Sequence, residues 1–297
     1  VTLRRPAAAG ATVAVAVAAL LASAQSVSVG ATAPPVTAHS VIVFDSRRSG
    51  AWALYTKELC CQAKLLAGGP AQVLFAPSVS PNGRIALTAE VGGNYDIYTM
   101  ARGGGPLTRI THGTSVEAFP AWSPDGTSIA FDSNRTGHWQ IFVWHGGTVR
   151  QLTAGSTVSG LPAWSPDGAT IAFDSDRTGH QEIFTEPAAG GPATEWTATS
   201  WVTNVQPAWS PDGSTIAFSS NRSGRFQIYL LNVQTHVITR LTDDAGNDYQ
   251  PAWSPDGSTI AYTQLSGGVD RIYAIKTDGT GLIEVSLQSG ELPHWLP

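Results

Sequence analysis

The pattern of apolar positions changes character near residue 40. Before it, an unbroken apolar run from Ala11 to Leu21 follows the basic pair Arg4-Arg5 and leads into the small residues Ala22-Ser23-Ala24. This is the order of parts in a secretory signal, and the run falls short of the ~20 residues that a membrane-spanning helix needs. Residues 1–24 are therefore expected to be a signal peptide, 25–40 a linker and 41–297 one folded domain. Beyond the leader no helical period appears. Short runs such as Ile129-Ala130-Phe131-Asp132-Ser133 alternate large and small side chains instead. A strand has that pattern when both faces of its sheet are packed and neither meets water.

The runs recur. The heptad from Pro120 to Gly126, Pro-Ala-Trp-Ser-Pro-Asp-Gly, returns unchanged at Pro162 to Gly168, Pro207 to Gly213 and Pro251 to Gly257, with a weaker copy at Pro77 to Gly83. Prolines 81, 124, 166, 211 and 255 stand 43, 42, 45 and 44 residues apart, close to the roughly 40–45-residue period of a propeller blade. In each copy an Ile begins the next run, and twelve residues later comes an aliphatic–aromatic pair, as in Ile129 and Ile141-Phe142. Ile42 with Leu54-Tyr55 makes a sixth such unit, but this one lacks the Pro-Ala-Trp opening. Pro293-His294-Trp295-Leu296-Pro297 supplies an opening from the other end of the sequence. The expected fold is all-β: a six-bladed β-propeller of four-stranded blades, with the C-terminal strand joining the N-terminal blade. Closing the ring also removes unpaired sheet edges.

Within each unit Ser-Pro-Asp-Gly suits a type I turn, with Pro presetting φ at its second position and Gly at its fourth. Asp125, Asp167, Asp212 and Asp256, and the repeated Trp122, Trp164, Trp209, Trp253 and Trp295, are thus expected to serve the fold. The run Pro-Ala-Trp-Ser-Pro-Asp-Gly-x-x-Ile-Ala-Phe-x-Ser-x-Arg-x-Gly-x-x-x-Ile-Tyr closely resembles the TolB-like β-propeller repeat, over residues 41–297. That resemblance implies a six-bladed ring and a periplasmic scaffold that binds partner proteins of the cell envelope. It covers the propeller alone, since only the short linker precedes the first blade and TolB carries an α/β domain there. The same repeat type occurs in propellers attached to serine peptidases and in sugar-acid lyases.

Composition narrows the chemistry. The chain has 297 residues, 13% of them charged, and a net charge of −5. With no run of Lys or Arg, nucleic acid and anionic membrane surfaces are poor partners. The only cysteines, Cys60 and Cys61, are adjacent and cannot close a long loop. Nucleophile-elbow, His-Glu-x-x-His and phosphate-loop motifs are absent, so no catalytic residue, cofactor or metal is assigned. Asp174 and Asp176 invite a calcium reading, set aside on the expectation that a strand points them to opposite sides. His138 and His180 occupy equivalent places in adjacent blades, which keeps a metal-dependent polysaccharide lyase in view as the alternative function. Arg48, Arg135, Arg177 and Arg222 recur between the second and third strands and are expected to pair with a nearby carboxylate or carbonyl.

The segments entering the inner strands vary while the motif beside them does not. Glu117, Asn204, Gln206, Asp248, Tyr249, Gln250 and Glu291 are expected to ring the channel mouth, with Trp139 and Trp201 as aromatic surface beside it. Such a mixture of acid, amide and aromatic groups suits an envelope or extracellular protein or peptide, with a glycan as a further candidate. The leading reading is an exported, monomeric, non-catalytic binding scaffold, periplasmic or extracellular.

Overall fold

Each Pro-Ala-Trp segment forms the innermost strand of a four-stranded antiparallel sheet, and six such sheets make the blades. The computed structural model describes residues 41–58, 62–68, 72–286 and 289–296; the leader and Cys60-Cys61 lie outside them. Blade 3 shows the pattern: Glu117–Trp122 inside, then Ser128–Ser133, Gln140–His145 and Thr148–Gln151 at the rim. Blade 2 runs from Val73 to Arg109, blade 4 from Ser159 to Glu195, blade 5 from Asn204 to Arg240, and blade 6 from Asn247 to Glu284. Blade 1 is assembled from both ends of the propeller. Its inner strand, Glu291–Trp295, pairs antiparallel with Val41–Ser46, and Ala53–Glu58 and Lys64–Ala67 follow.

The turn after each inner strand is built by its own side chains. Gly126 N–H donates to the Ser123 carbonyl at 2.9 Å, and its φ of 68° is one that glycine adopts without a Cβ clash. The Asp125 carboxylate accepts from the Ser123 hydroxyl at 2.5 Å and the Thr127 N–H at 3.0 Å. Those bonds hold the Asp125 carboxyl below the usual carboxylate range. Asp167, Asp212 and Asp256 do the same in their blades and are shifted the same way.

Large–small alternation becomes blade-on-blade packing. In the second strand of blade 3, Ile129 and Phe131 face blade 2 and pack with Ala86 and Ile97. Ala130, between them, faces blade 4 and meets Ile171 and Phe173. The exchange repeats at every interface, so six apolar clusters sit between blades. Blade 1 meets blade 6 through Phe44, Tyr55 and Trp295 against Ala261, Ile272 and Ala274.

All six inner strands share one irregularity. The residue before the proline has a left-handed backbone: Ala76, Phe119, Leu161, Gln206, Gln250 and Leu292 have φ between 49° and 60°. None is glycine, and each such residue costs about 1–3 kcal/mol. Each also lies in a β-bulge, where the ladder to the second strand skips. Proline has no N–H to give a ladder, so the skip is where it fits.

The amide of the left-handed residue turns toward the preceding blade and is bonded there every time. Ala76 N–H donates to Asp45 at 3.2 Å, Phe119 to Thr88 at 3.1 Å, Leu161 to Asp132 at 3.0 Å and Gln206 to Asp174 at 2.9 Å. Gln250 N–H donates to the Gln206 side-chain oxygen at 3.0 Å; Leu292 N–H donates to Gln250 and Thr263, each at 3.2 Å. Burial pushes the Asp132 and Asp174 carboxyls up, Asp174 to about 7, while the Leu161 and Gln206 amides moderate the rise.

The sequence argument separating Asp174 from Asp176 used the wrong period, since residues two apart on a strand share a face. They part because the strand ends at Ser175. Asp174 accepts the blade 5 amide, and Asp176 accepts Val158 N–H at 2.7 Å.

Two outcomes are expected. Trp295→Ala, in the closing strand, destabilises the ring by about 3–5 kcal/mol in urea denaturation; a loss under about 1 kcal/mol would contradict the closure. Asp174 has a raised folded-state pKa, so its stabilising contribution is full below the unfolded value near 3.8 and is lost as pH rises through about 7. Asp174→Asn should therefore reduce the fall in thermal midpoint between about pH 5 and pH 8, and an unchanged pH profile would contradict the shift.

Candidate functional site

A cavity of about 450 Å³ fills the ring's centre, and only inner-strand and turn residues line it. Its floor is the left-handed ring, Ala76, Phe119, Leu161, Gln206, Gln250 and Leu292. Above it come the residues after each proline: Ser78, Ala121, Ala163, Ala208, Ala252 and His294. The five repeated tryptophans form the wall, and Pro81, Pro124, Pro211 and Pro255 mark the opening at the Ser-Pro-Asp-Gly end. Small residues at the inward position leave the space; in a packed ring of six sheets a larger set would fill it.

The lining is nearly free of charge. Among the described residues His294 is its one titratable side chain; burial holds its pKa below the usual range, and Nδ1 lies 3.0 Å from the Trp295 carbonyl. Gln206 and Gln250 spend their side-chain oxygens on the amides of the next blade. Their amide nitrogens find no protein acceptor among the described residues and are available to a ligand carbonyl.

The tryptophans pack and line at once. Trp164, Trp253 and Trp295 donate their indole N–H to the carbonyls of Ala121, Ala208 and Ala252 in the preceding blades, at 3.0–3.1 Å. Trp122 and Trp295 are buried, whereas Trp164, Trp209 and Trp253 are half-buried and show a face to the cavity.

The expected polar ring at the channel mouth is corrected in part. Gln206 and Gln250 do line the channel. Glu117, Asn204 and Asp248 are buried and away from the cavity, where polar groups of their own blade and, for Asn204, Glu182 of the preceding blade take up their side chains. Glu117 accepts from Arg135 at 2.7 Å and Asn204 from Arg222 at 2.9 Å. Tyr249 is half-buried against Phe226, ring centroids 4.9 Å apart, and burial raises its hydroxyl to about 12. Glu291 and Trp139 are half-buried and not in the lining. Trp201 is 89% exposed, and its ring lies 5.8 Å from exposed His180. His138 is also exposed, and among the described residues no three His, Cys, Asp or Glu side chains group as metal ligands would.

The recurring arginines are interior fittings. Arg135 lies 5.5 Å over Phe131 and 4.7 Å over Phe142, and its Nε donates to Ser133 at 3.0 Å. Arg48, Arg177 and Arg222 repeat this over Phe44/Tyr55, Phe173/Phe184 and Phe218/Tyr229, with Ser46, Ser175 and Ser220 as acceptors. The aromatic platform went unseen in the sequence, although the signal was present: a Phe four residues before each of these arginines.

The family model of the TolB beta propeller domain matches residues 36–145 and 197–297. The chain belongs to that family. A Protein TolB homolog of Chlorobium luteolum is 36% identical over 67 residues, which is 23% of this chain and 15% of the relative, so the match spans a small part of that protein's length. The crystal structure of TolB from Acinetobacter baumannii superposes with a TM-score of 0.77 at 23% identity, over 87% of this chain and 67% of that one. An oligogalacturonate lyase in complex with manganese has a TM-score of 0.60 at 17% identity, over 83% of this chain and 74% of the other. At these identities the solved structures bear on the fold. In this TolB-type propeller Arg177→Lys should cost about 1–2 kcal/mol in chemical denaturation, because an ammonium cannot cover two rings and keep both hydroxyl bonds. An unchanged stability would instead place Arg177 as a surface cation.

Proposed function

We propose that this chain is a non-catalytic binding propeller, exported to the periplasm, cell envelope or extracellular side, which takes a protein or peptide segment into its central channel. The observation that carries the reading is the lining: half-buried indoles and prolines around inward residues that are mostly Ala or Ser, with Gln206 and Gln250 among them. Aromatic walls with a few placed donors suit an uncharged, carbonyl-bearing chain. Membership of the TolB propeller family supports a scaffold role, and the secretory pattern of residues 1–24 supports export.

The alternative is a metal-dependent enzyme acting on acidic polysaccharide, for which the manganese-bound lyase is a fold relative. It fits the lining less well, since a polyanion calls for a cationic surface and no Lys or Arg lines the cavity among the described residues. His138 and His180 stand on exposed hairpins and are not in the lining.

Affinity capture from envelope extract separates the readings. The expected result is a protein partner whose binding falls about tenfold or more in Trp253→Ala, the size of loss typical of a central aromatic anchor, with Trp201→Ala unaffected. Capture unchanged by Trp253→Ala, or turnover of an acidic polysaccharide by the purified protein, would overturn it.

A further inference from the structure

Blade 6 keeps the cation platform of its neighbours without the cation. In blades 1, 3, 4 and 5 a guanidinium covers an aromatic pair and reaches toward the base of its blade. Tyr262 and Tyr273 form the matching pair in blade 6, centroids 6.0 Å apart and planes 26° apart, against 6.1 Å and 28° for Phe131 and Phe142. The hairpin that carries the arginine elsewhere is here extended as ladder to Ser266 and Val269 and turned by Gly267-Gly268. Counting along the repeat, Ser266 stands where Arg135 does. No arginine among the described residues lies over Tyr262 or Tyr273; Arg271, two residues before Tyr273 on the same strand, pairs with Glu284 at 3.4 Å.

The anionic half of the arrangement remains. Asp248 occupies the Glu117 position and is fully buried. The Gln264 amide bridges two carboxylates, Asp244 at 2.6 Å and Asp248 at 3.1 Å, and Asp244 also accepts the Gly246 N–H at 2.9 Å. Among the described residues the second Asp248 oxygen and the fully buried Tyr262 hydroxyl meet no partner at hydrogen-bond distance; the Thr242 hydroxyl is the group beside Asp248 that favours its carboxylate. Asp248 and Asp244 both lie near enough to Tyr262 for their charges to raise its pKa. Two unmet buried polar atoms in one place are costly, at about 1–3 kcal/mol each. The niche is within reach of solvent: in blade 3 the arginine filling it keeps 26% of its side chain exposed, and Gln264 is only half-buried.

We propose that blade 6 binds a guanidinium group brought from outside the blade, seated on the Tyr262–Tyr273 pair and held by Asp248 and Asp244. The chemistry favours a guanidinium over a metal ion. An aromatic platform attracts a weakly hydrated, planar cation, and these two carboxylates belong to no metal-ligand group of three. Gln264 is the side chain that must swing aside.

Thermal unfolding of the full chain with agmatine tests this, with acetyl-arginine amide as the peptide-like source of the same group and putrescine as the ammonium control. The expected result is a rise of ~2–4 °C at about ten times the Kd, growing with the logarithm of ligand concentration, with either guanidinium and not with putrescine. Asp248→Asn, of the same shape, should abolish the rise. Gln264→Arg, which supplies a guanidinium from within, should unfold at a higher temperature and no longer respond. No rise in the natural protein, an equal rise in Asp248→Asn, or a persisting response in Gln264→Arg would each overturn the proposal.

Discussion

The ring depends on one repeated bond: the amide of a left-handed residue in each inner strand, given to a side chain of the blade before it. Six strained backbones in register are a large conformational cost, and they persist because each turns an N–H out of its own sheet and into its neighbour. The bond from Leu292 to Gln250 and Thr263 is the sixth, so the strand that closes blade 1 is held by the same device as the others. Apolar exchange between blades supplies most of the burial, and the bulge bond sets the rotation at which that burial is achieved.

The same bulge defines the central space. It sets Gln206 and Gln250 in the cavity lining with their side-chain oxygens spent on the ring. It also carries the chain past the axis so that the next inward position holds Ala, Ser or His, with a tryptophan wall behind. Structure and recognition are therefore not divided between conserved-looking and variable-looking positions here. The repeated tryptophans bind one blade to the next and still face the cavity, while the variable Glu117, Asn204 and Asp248 are buried inside their blades.

The internal cation is the blade's second organising feature. Four blades cover an aromatic pair with their own arginine and complete it with a hydroxyl, an amide or a carboxylate. Blade 2 keeps one ring of the pair, Tyr98, and puts Leu74 and Leu87 at the acidic and the other aromatic positions. Blade 6 lacks the arginine and has Gln264 in place of its serine partner but leaves the carboxylate, which makes it unlike either solution.

The amino-acid sequence by itself determined the number of blades, the strands in each, the turn after each inner strand and the closure by Pro293 to Leu296. Those features rest on local chemistry and on repetition: a proline and glycine at fixed turn positions, an alternation of large and small side chains, and a period that can be counted. Only the tertiary structure decided which varying residues see the channel. A one-residue bulge reverses the side to which a strand's next side chain points, and here it falls at Phe119, Leu161 and Gln250, residues with no glycine to announce it. The varying segments that enter the inner strands, read as loops of the channel mouth, put Glu117 and Asp248 there. The arginine platform was hidden for a similar reason, since Phe131, Phe142 and Ser133 meet Arg135 only after two strands have paired.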